Sequence, residues 1–171
     1  MHFILTRYYG SANITKSTFQ VFASQDESQK PLLECEAREI SFKDYSDSFP
    51  GASHYCLPTG TFALKLRPTV FSPFTPYLTH CPAHRGDSIG WRADVQKQAR
   101  AILLGASDGG LQPLRRLIRQ KATYDALVQI MEKTLISGEA ITLTVRNDIQ
   151  QMQLSEQLLK HAQDTFDEQQ Y

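Results

Sequence analysis

Two imidazoles and a thiol stand within five residues in His80-Cys81-Pro82-Ala83-His84, the atoms that a metal centre or an activated thiolate requires. Their spacing favours neither. Structural zinc takes four protein ligands from two paired stretches, and the rest of the chain offers only His54 with Cys56 and the isolated His2, Cys35 and His161, so no metal or other cofactor is expected. A Cys-His nucleophile pair is assembled by the fold from distant positions, so Cys81 and His84 stand only as an alternative catalytic pair. A small buried thiol is the plainer reading of Cys81. Glu34 and Glu36 share one face of an extended segment, which suits acid-base work and equally suits a solvated strand. The basic string Arg115-Arg116-Leu117-Ile118-Arg119-Gln120-Lys121 has no interleaved stacking aromatics, so it reads as a solvated face and no nucleic-acid partner is expected. Neither a Gly-x-Gly-x-x-Gly nor a Gly-Lys-Ser/Thr string occurs, which excludes nucleotide binding through those loops.

The elements that would position such groups are mostly strands. Residues 2–9 and 19–24 are short, aromatic and β-branched, separated by the polar stretch Gly10 to Thr18, and read as two strands and a loop. From Pro31 to Phe42, Leu33, Cys35 and Ala37, with Ile40 beyond them, face one way while Glu34, Glu36 and Arg38 face the other, the alternation of a half-buried strand. Cys56-Leu57-Pro58-Thr59-Gly60 forms a turn ahead of a strand in which Phe62, Leu64 and Leu66 share a face. Prolines 68, 73, 76 and 82 exclude a helix over residues 68–85, predicting a long loop with one extended piece around Tyr77-Leu78. Ile102-Leu103-Leu104-Gly105 reads as an interior strand, followed by the loop Ser107-Asp108-Gly109-Gly110. Leu127, Val128, Met131 and Leu135 recur at helical spacing between Ala122 and Ile136, closed by Ser137-Gly138. Glu139 to Asn147 is the last strand, with Ile141, Leu143 and Val145 inward.

The composition fits one globular core. In 171 residues, 18 Lys plus Arg balance 18 Asp plus Glu, and 41% of residues are hydrophobic, which excludes disorder and a uniformly basic surface. Neutrality is a cancellation. Residues 85–121 carry eight Lys/Arg against three Asp, a formal +5, whereas residues 148–171 carry five acids against Lys160 alone, a formal −4. That last segment holds seven glutamines and spaced apolar residues, so we divide the chain into a β-rich domain, 1–147, and a Gln-rich C-terminal helical tail, 148–171. The tail is amphipathic enough to dock on a protein partner or a second copy, and an oligomer is compatible with it. Three widely spaced cysteines without a Cys-x-x-Cys pair argue for reduced thiols. Met1 to Tyr9 lacks a basic leader and an apolar export stretch, and no run approaches the roughly 18 apolar residues of a membrane span. A cytoplasmic chain without a membrane partner is the expectation.

The order of these pieces resembles a small phage- and bacterium-associated domain family of unknown function that is similar to the L,D-transpeptidase catalytic domain. Residues 56–62, Cys-Leu-Pro-Thr-Gly-Thr-Phe, echo that family's Cys-Ile-Pro-Ala-Gly-Thr-Tyr-like turn and strand. Arg7, Leu32-Leu33-Glu34, residues 102–105 and Gly138-Glu139-Ala140-Ile141-Thr142-Leu143 follow in the family's order, so the resemblance spans about residues 3–147. It implies a mainly β, α+β fold: an L,D-transpeptidase-like β-sandwich or barrel with one packed helix, to which the tail adds a C-terminal amphipathic helix. In such enzymes a cysteine thiolate attacks a peptide carbonyl, a histidine takes its proton and backbone amides hold the oxyanion. Carried over, the family's cysteine falls on Ala101, its preceding glycine on Arg100, and its histidine on Trp91 or Arg92. Both halves of the dyad are absent. The resemblance therefore implies a catalytically inactive relative whose cleft binds a peptide end, a peptidoglycan fragment or a protein partner. Arg85, Trp91, Arg92 and Arg100 are its candidate ligand-binding residues, the arginines pairing with a carboxylate. The alternative is a cysteine-dependent peptidoglycan hydrolase or transpeptidase with a rearranged pair, Cys81 or Cys56 with His80, His84 or His54.

Overall fold

Alternating apolar residues in the first quarter of the chain form three antiparallel strands, β1 (His2–Gly10), β2 (Thr15–Phe22) and β3 (Leu33–Glu39). Then come β4 (Gly60–Thr69), β5 (Ser72–Thr79), the short β6 (Ser88–Gly90), β7 (Ala101–Leu104), the helix α1 (Pro113–Ile136) and β8 (Ile141–Asn147). The computed structural model describes residues 1–10, 14–39, 57–69, 72–79, 88–91, 101–105, 113–148 and 150–151. The strands close into a barrel in the order β1-β2-β3-β7-β6-β5-β4-β8, with β8 parallel to β1 and β6 parallel to β7. The fold is mainly β with one packed helix, as the alternation and the resemblance imply.

Closure gives every strand an inner and an outer row. Phe3, Leu5, Phe19, Val21, Leu64, Ile102, Leu143 and Val145 fill the interior together with Leu127 and Met131 of α1. The helix lies across one end of the barrel, where β1 and β8 begin and β7 finishes. Thr134 Oγ1 donates to Met1 Sδ at 3.2 Å, and Tyr124 donates its hydroxyl to the Phe74 carbonyl at 3.3 Å. At Gly105, φ is +68° and a Cβ would lie 3.3 Å from the Gln120 backbone, so a side chain here would be strained and would press β7 away from α1 by a few tenths of an ångström. The helix stops at Gly138, φ +80°, where the Gly138 and Glu139 amides return to the Leu135 and Thr134 carbonyls.

Four elements differ from the sequence expectation. The second strand begins at Thr15 rather than 19, because Thr15 to Thr18 pair on both sides with β1 and β3. Residues 72–79, expected as loop apart from an extended piece around Tyr77-Leu78, form β5 throughout despite Pro73 and Pro76. That strand pairs along β4, and among the described residues it meets β6 only at Tyr77 and Ser88, a sparsely paired side on which missing N–H donors are tolerated. The helix starts nine residues earlier than Ala122, at Pro113, a residue suited to a first helical turn because its absent N–H would have no partner there. The third strand is trimmed to Leu33–Glu39, and Ile40, with residues 41–42 and 107–110, lies outside the described residues.

On the outer face, the β2–β3 connection folds back across β1. Asp26 anchors its turn by accepting from the Ser28 amide and hydroxyl at 3.0 and 2.7 Å, and Glu27 reaches Arg146 of β8 at 2.9 Å. Beneath it His2, Ile4 and Phe22 are buried although their phase points outward. His2 Nδ1 meets Thr142 Oγ1 at 3.0 Å. Burial holds the His2 imidazole below its ordinary 6.5; Glu27 opposes this, while the N-terminal ammonium and Arg146 add to it. The unfolded chain therefore takes up the proton first as the pH falls. Stability attributable to His2 should be complete above about pH 6.5 and decline as the pH drops toward the lower folded value. Urea midpoints between pH 7.5 and 5.5 should fall less for His2→Gln than for the parent, and parallel curves would refute this assignment.

Candidate functional site

Four neighbouring inner rows turn from apolar to polar at the same end of the barrel, the one away from α1. Phe3 and Leu5 are followed by Arg7, Cys35 and Ala37 by Glu39, and Leu143 and Val145 by Asn147, while β2 opens with Thr15 and Ser17 before Phe19 and Val21. The register aligns these positions: Arg7 lies between Ser17 and Asn147, and Thr15 lies beside Glu39.

At the centre is a buried ion pair. Arg7 is 1% exposed and Glu39 5%. Arg7 donates Nε to Glu39 Oε2 at 2.7 Å and Nη2 to Oε1 at 2.8 Å, a two-pronged contact that matches guanidinium to carboxylate. Arg7 Nη2 also donates to the Leu57 carbonyl at 2.5 Å, and the Leu57 amide donates to Glu39 Oε1 at 2.8 Å. Both backbone groups of Leu57 are thus held by one charge pair. The turn that follows it, through Gly60 at φ +144°, launches β4. Arg7 Nη1 points to Asn147 Oδ1 at 3.4 Å, and the Asp148 amide donates to the Arg7 carbonyl at 2.7 Å. An open groove of about 370 Å³, lined by Thr6, Arg146, Asn147, Asp148 and Gln150, runs beside this end.

Of the residues singled out from sequence, Ala101 opens β7 in parallel register with Ser88, and the β3–β7 register carries it toward the Glu39 end. Trp91 follows β6 toward the other end, half-buried, with the Lys121 ammonium of α1 5.8 Å from its ring centre. Cys56, His80, Cys81, His84, Arg85, Arg92 and Arg100 lie outside the described residues, as do His54, His161 and residues 152–171 of the tail. In chain order, though, Cys56 immediately precedes the clamped Leu57 and Arg100 immediately precedes Ala101. Among the described residues no group of three His, Cys, Asp or Glu is placed to hold a metal ion, and no helix is long and apolar enough to cross a membrane. Comparison of the chain with family models, curated proteins and solved structures finds no match.

Glu39, Thr15, Ser17 and Asn147 escaped the sequence reading, and of these Glu39 carries a signal. Continuing the row Leu33, Cys35, Ala37 by two lands on Glu39, not Ile40, and an acid in the inward phase of a strand demands a buried partner. The same row contains Cys35, whose thiol is pushed up to about 11, chiefly by burial. A thiol so protonated is a poor nucleophile. In the native protein at pH 8 Cys35 should resist iodoacetamide and become labelled once urea unfolds the barrel, as peptide mass spectrometry would read; rapid native labelling would contradict its placement.

Proposed function

We propose that this chain is a non-catalytic binding module of the L,D-transpeptidase-like kind, which takes a carboxylate-bearing peptide end at the Arg7–Glu39 end of the barrel. The observation that carries this is the polarity of that end. Four inner rows become polar together there, α1 covers the opposite end, and a groove beside Asn147 leads along it. Ala101, a residue without nucleophile or acid-base chemistry, opens β7 toward the same end. Arg7 is already matched to Glu39, so recognition of a ligand carboxylate falls to Arg85 and to Arg100, which adjoins Ala101 in chain order; Arg92 follows Trp91, which leads toward the α1 end, and is not assigned to this site. The ligand on this reading is a cell-wall peptide fragment or a similar peptide end.

Calorimetric titration with N-acetyl-alanyl-alanine, and with the same peptide capped as its C-terminal amide, tests the reading. The free acid should bind more tightly than the amide, and Arg100→Ala should weaken it several-fold, whereas Arg92→Ala, next to Trp91 toward the α1 end, should change it little. Equal binding of acid and amide, or no binding of either, would remove the proposal.

One observation favours a second reading, a cysteine-dependent peptidoglycan hydrolase or transpeptidase. Cys56 adjoins Leu57, whose amide and carbonyl are fixed by Glu39 and Arg7, the kind of rigid backbone on which a nucleophile is mounted. Thiol alkylation separates the two. A fast-reacting thiol near pH 6 at Cys56 or Cys81 would favour the enzyme, and uniformly slow thiols the binder. Asp148, which accepts from the Gln151 amide at 3.1 Å in the manner of a helix cap, supports a helical tail; if that tail docks copies together, deleting residues 148–171 should reduce the number of copies per particle in solution.

A further inference from the structure

The two most exposed large apolar side chains among the described residues both stand on α1, Ile118 at 62% and Ile136 at 85%. They lie about five helical turns apart, and with Ala122 and Gln129, also exposed, they mark one outward stripe. The helix is charged unevenly. Residues 113–124 hold Arg115, Arg116, Arg119 and Lys121 and no acid, whereas Asp125 and Glu132 follow in the second half with Lys133. Arg119 and Lys121 are exposed, and Lys121 is held beside the stripe by Asp125 and the face of Trp91. No acid stands in the first turn, where the positive end of the helix dipole disfavours cations. This half of α1 is unfavourable alone and favourable against an acidic partner.

The chain carries a segment of that chemistry. Residues 148–171 have a formal charge of −4, Gln150 and Gln151 are helical, and Met152, Leu159, Ala162 and Phe166 are spaced for one helix face. Three of its five acids, Asp164, Asp167 and Glu168, lie in the last eight residues, with Lys160 before them. Laid antiparallel along α1, with Phe166 toward Ile118, this order sets the acids against the basic half and Lys160 toward Asp125. A parallel pairing reverses both. The segment's own α1 is out of reach. β8 runs away from α1, and the basic half of α1 approaches β7 at Gly105, opposite β8 in the eight-strand order. To arrive there the segment would descend about 20 Å of barrel and then turn across its end, which a straight helix of about 35 Å does not do.

We propose that the outward face of α1 receives the C-terminal segment of a second copy, in a two-fold dimer whose barrels stand antiparallel. That arrangement brings each departing segment to the other copy's α1, so one contact is made twice and the assembly closes. The inference is independent of the peptide-binding reading, since no residue of α1 takes part in that site.

Sedimentation equilibrium of the full chain at micromolar concentration should give the mass of two chains. Two charge reversals supply the decisive comparison: Arg119→Glu with Lys121→Glu on α1, and Asp164→Lys, Asp167→Lys and Glu168→Lys on the segment. Each reversed protein alone should weigh one chain, because it sets like charges together. Their equimolar mixture should weigh two, because both contacts again join opposite charges. The mixture also controls for folding, since an unfolded variant could not restore the pair. Ile118→Ala should raise the concentration at which the parent pairs by about tenfold. A full chain of single mass would refute the dimer, and a mass above two chains would refute its closed two-fold form. A mixture that stays single, or reversed variants that still pair alone, would refute the α1 contact.

Discussion

Glu39→Ala should destabilise the barrel by about 3–5 kcal/mol, because it strands the Arg7 guanidinium in the interior without its countercharge. The effect has two parts. Arg7 loses two short charge-assisted bonds while remaining nearly inaccessible to water, and the Leu57 amide loses its acceptor. Against a typical total stability of about 5–15 kcal/mol this is a large fraction, and at roughly 2–4 °C per kcal/mol it corresponds to a fall in Tm on the order of 10 °C. The double variant Arg7→Met/Glu39→Leu separates the parts. Replacing a buried ion pair by apolar side chains is often neutral, but the Leu57 N–H and C=O would still be unpaired, each at about 1–3 kcal/mol. The double variant should therefore lose less than the sum of the two single variants. Urea unfolding of the parent, both single variants and the double would show this as a favourable coupling. Additive losses would mean that the two charges act independently, contrary to the geometry.

Phe19→Ala should be comparably damaging, at about 3–5 kcal/mol. Phe19 is fully buried and meets Phe3 edge to face, ring centres 5.8 Å apart at 78°, so its removal opens a cavity in the middle layer and also forfeits the aromatic contact. Its neighbour Gln20 points to the outer face and donates to Glu34 at 2.8 Å in an exposed pair. Gln20→Ala should change stability by no more than about 0.5 kcal/mol. Adjacent residues with such unequal effects would establish the register of β2 directly. Equal effects would mean that the inner and outer rows have been exchanged.

Much of this fold was readable where a strand keeps one apolar row. Ile141, Leu143 and Val145, and likewise Phe62 and Leu64, face inward as their alternation implies. Gly138 ends the helix where its sequence position suggested. The reading failed where polar residues take the inward phase. Thr15 and Ser17 look like loop because hydroxyls rarely line a core, and their burial is dictated by the partners on either side rather than by their own hydropathy. Pro73 and Pro76 misled in the other direction, since local preference cannot reveal that one side of β5 is sparsely paired. The Arg7–Glu39 contact joins residues 32 apart. Each of the two is an ordinary charged residue until the barrel closes, and its meaning is visible only as a break in an otherwise apolar row.

The parallel pairing of β1 with β8 also dictates when the molecule can exist. His2 pairs with Thr142 and Arg7 with Asn147, so the first strand made waits for the last before its free edge is covered. Until then β1 and β4 both present open edges, and the side chains of α1 have no finished core to enter. Contacts so distant along the chain are slow to form, and until β8 pairs, two strand edges stay open, the condition that favours aggregation during folding. A chain re-cut to join residues near 147 and 1 and opened in the β2–β3 connection would make β8 and β1 consecutive, and should fold faster while keeping the same barrel.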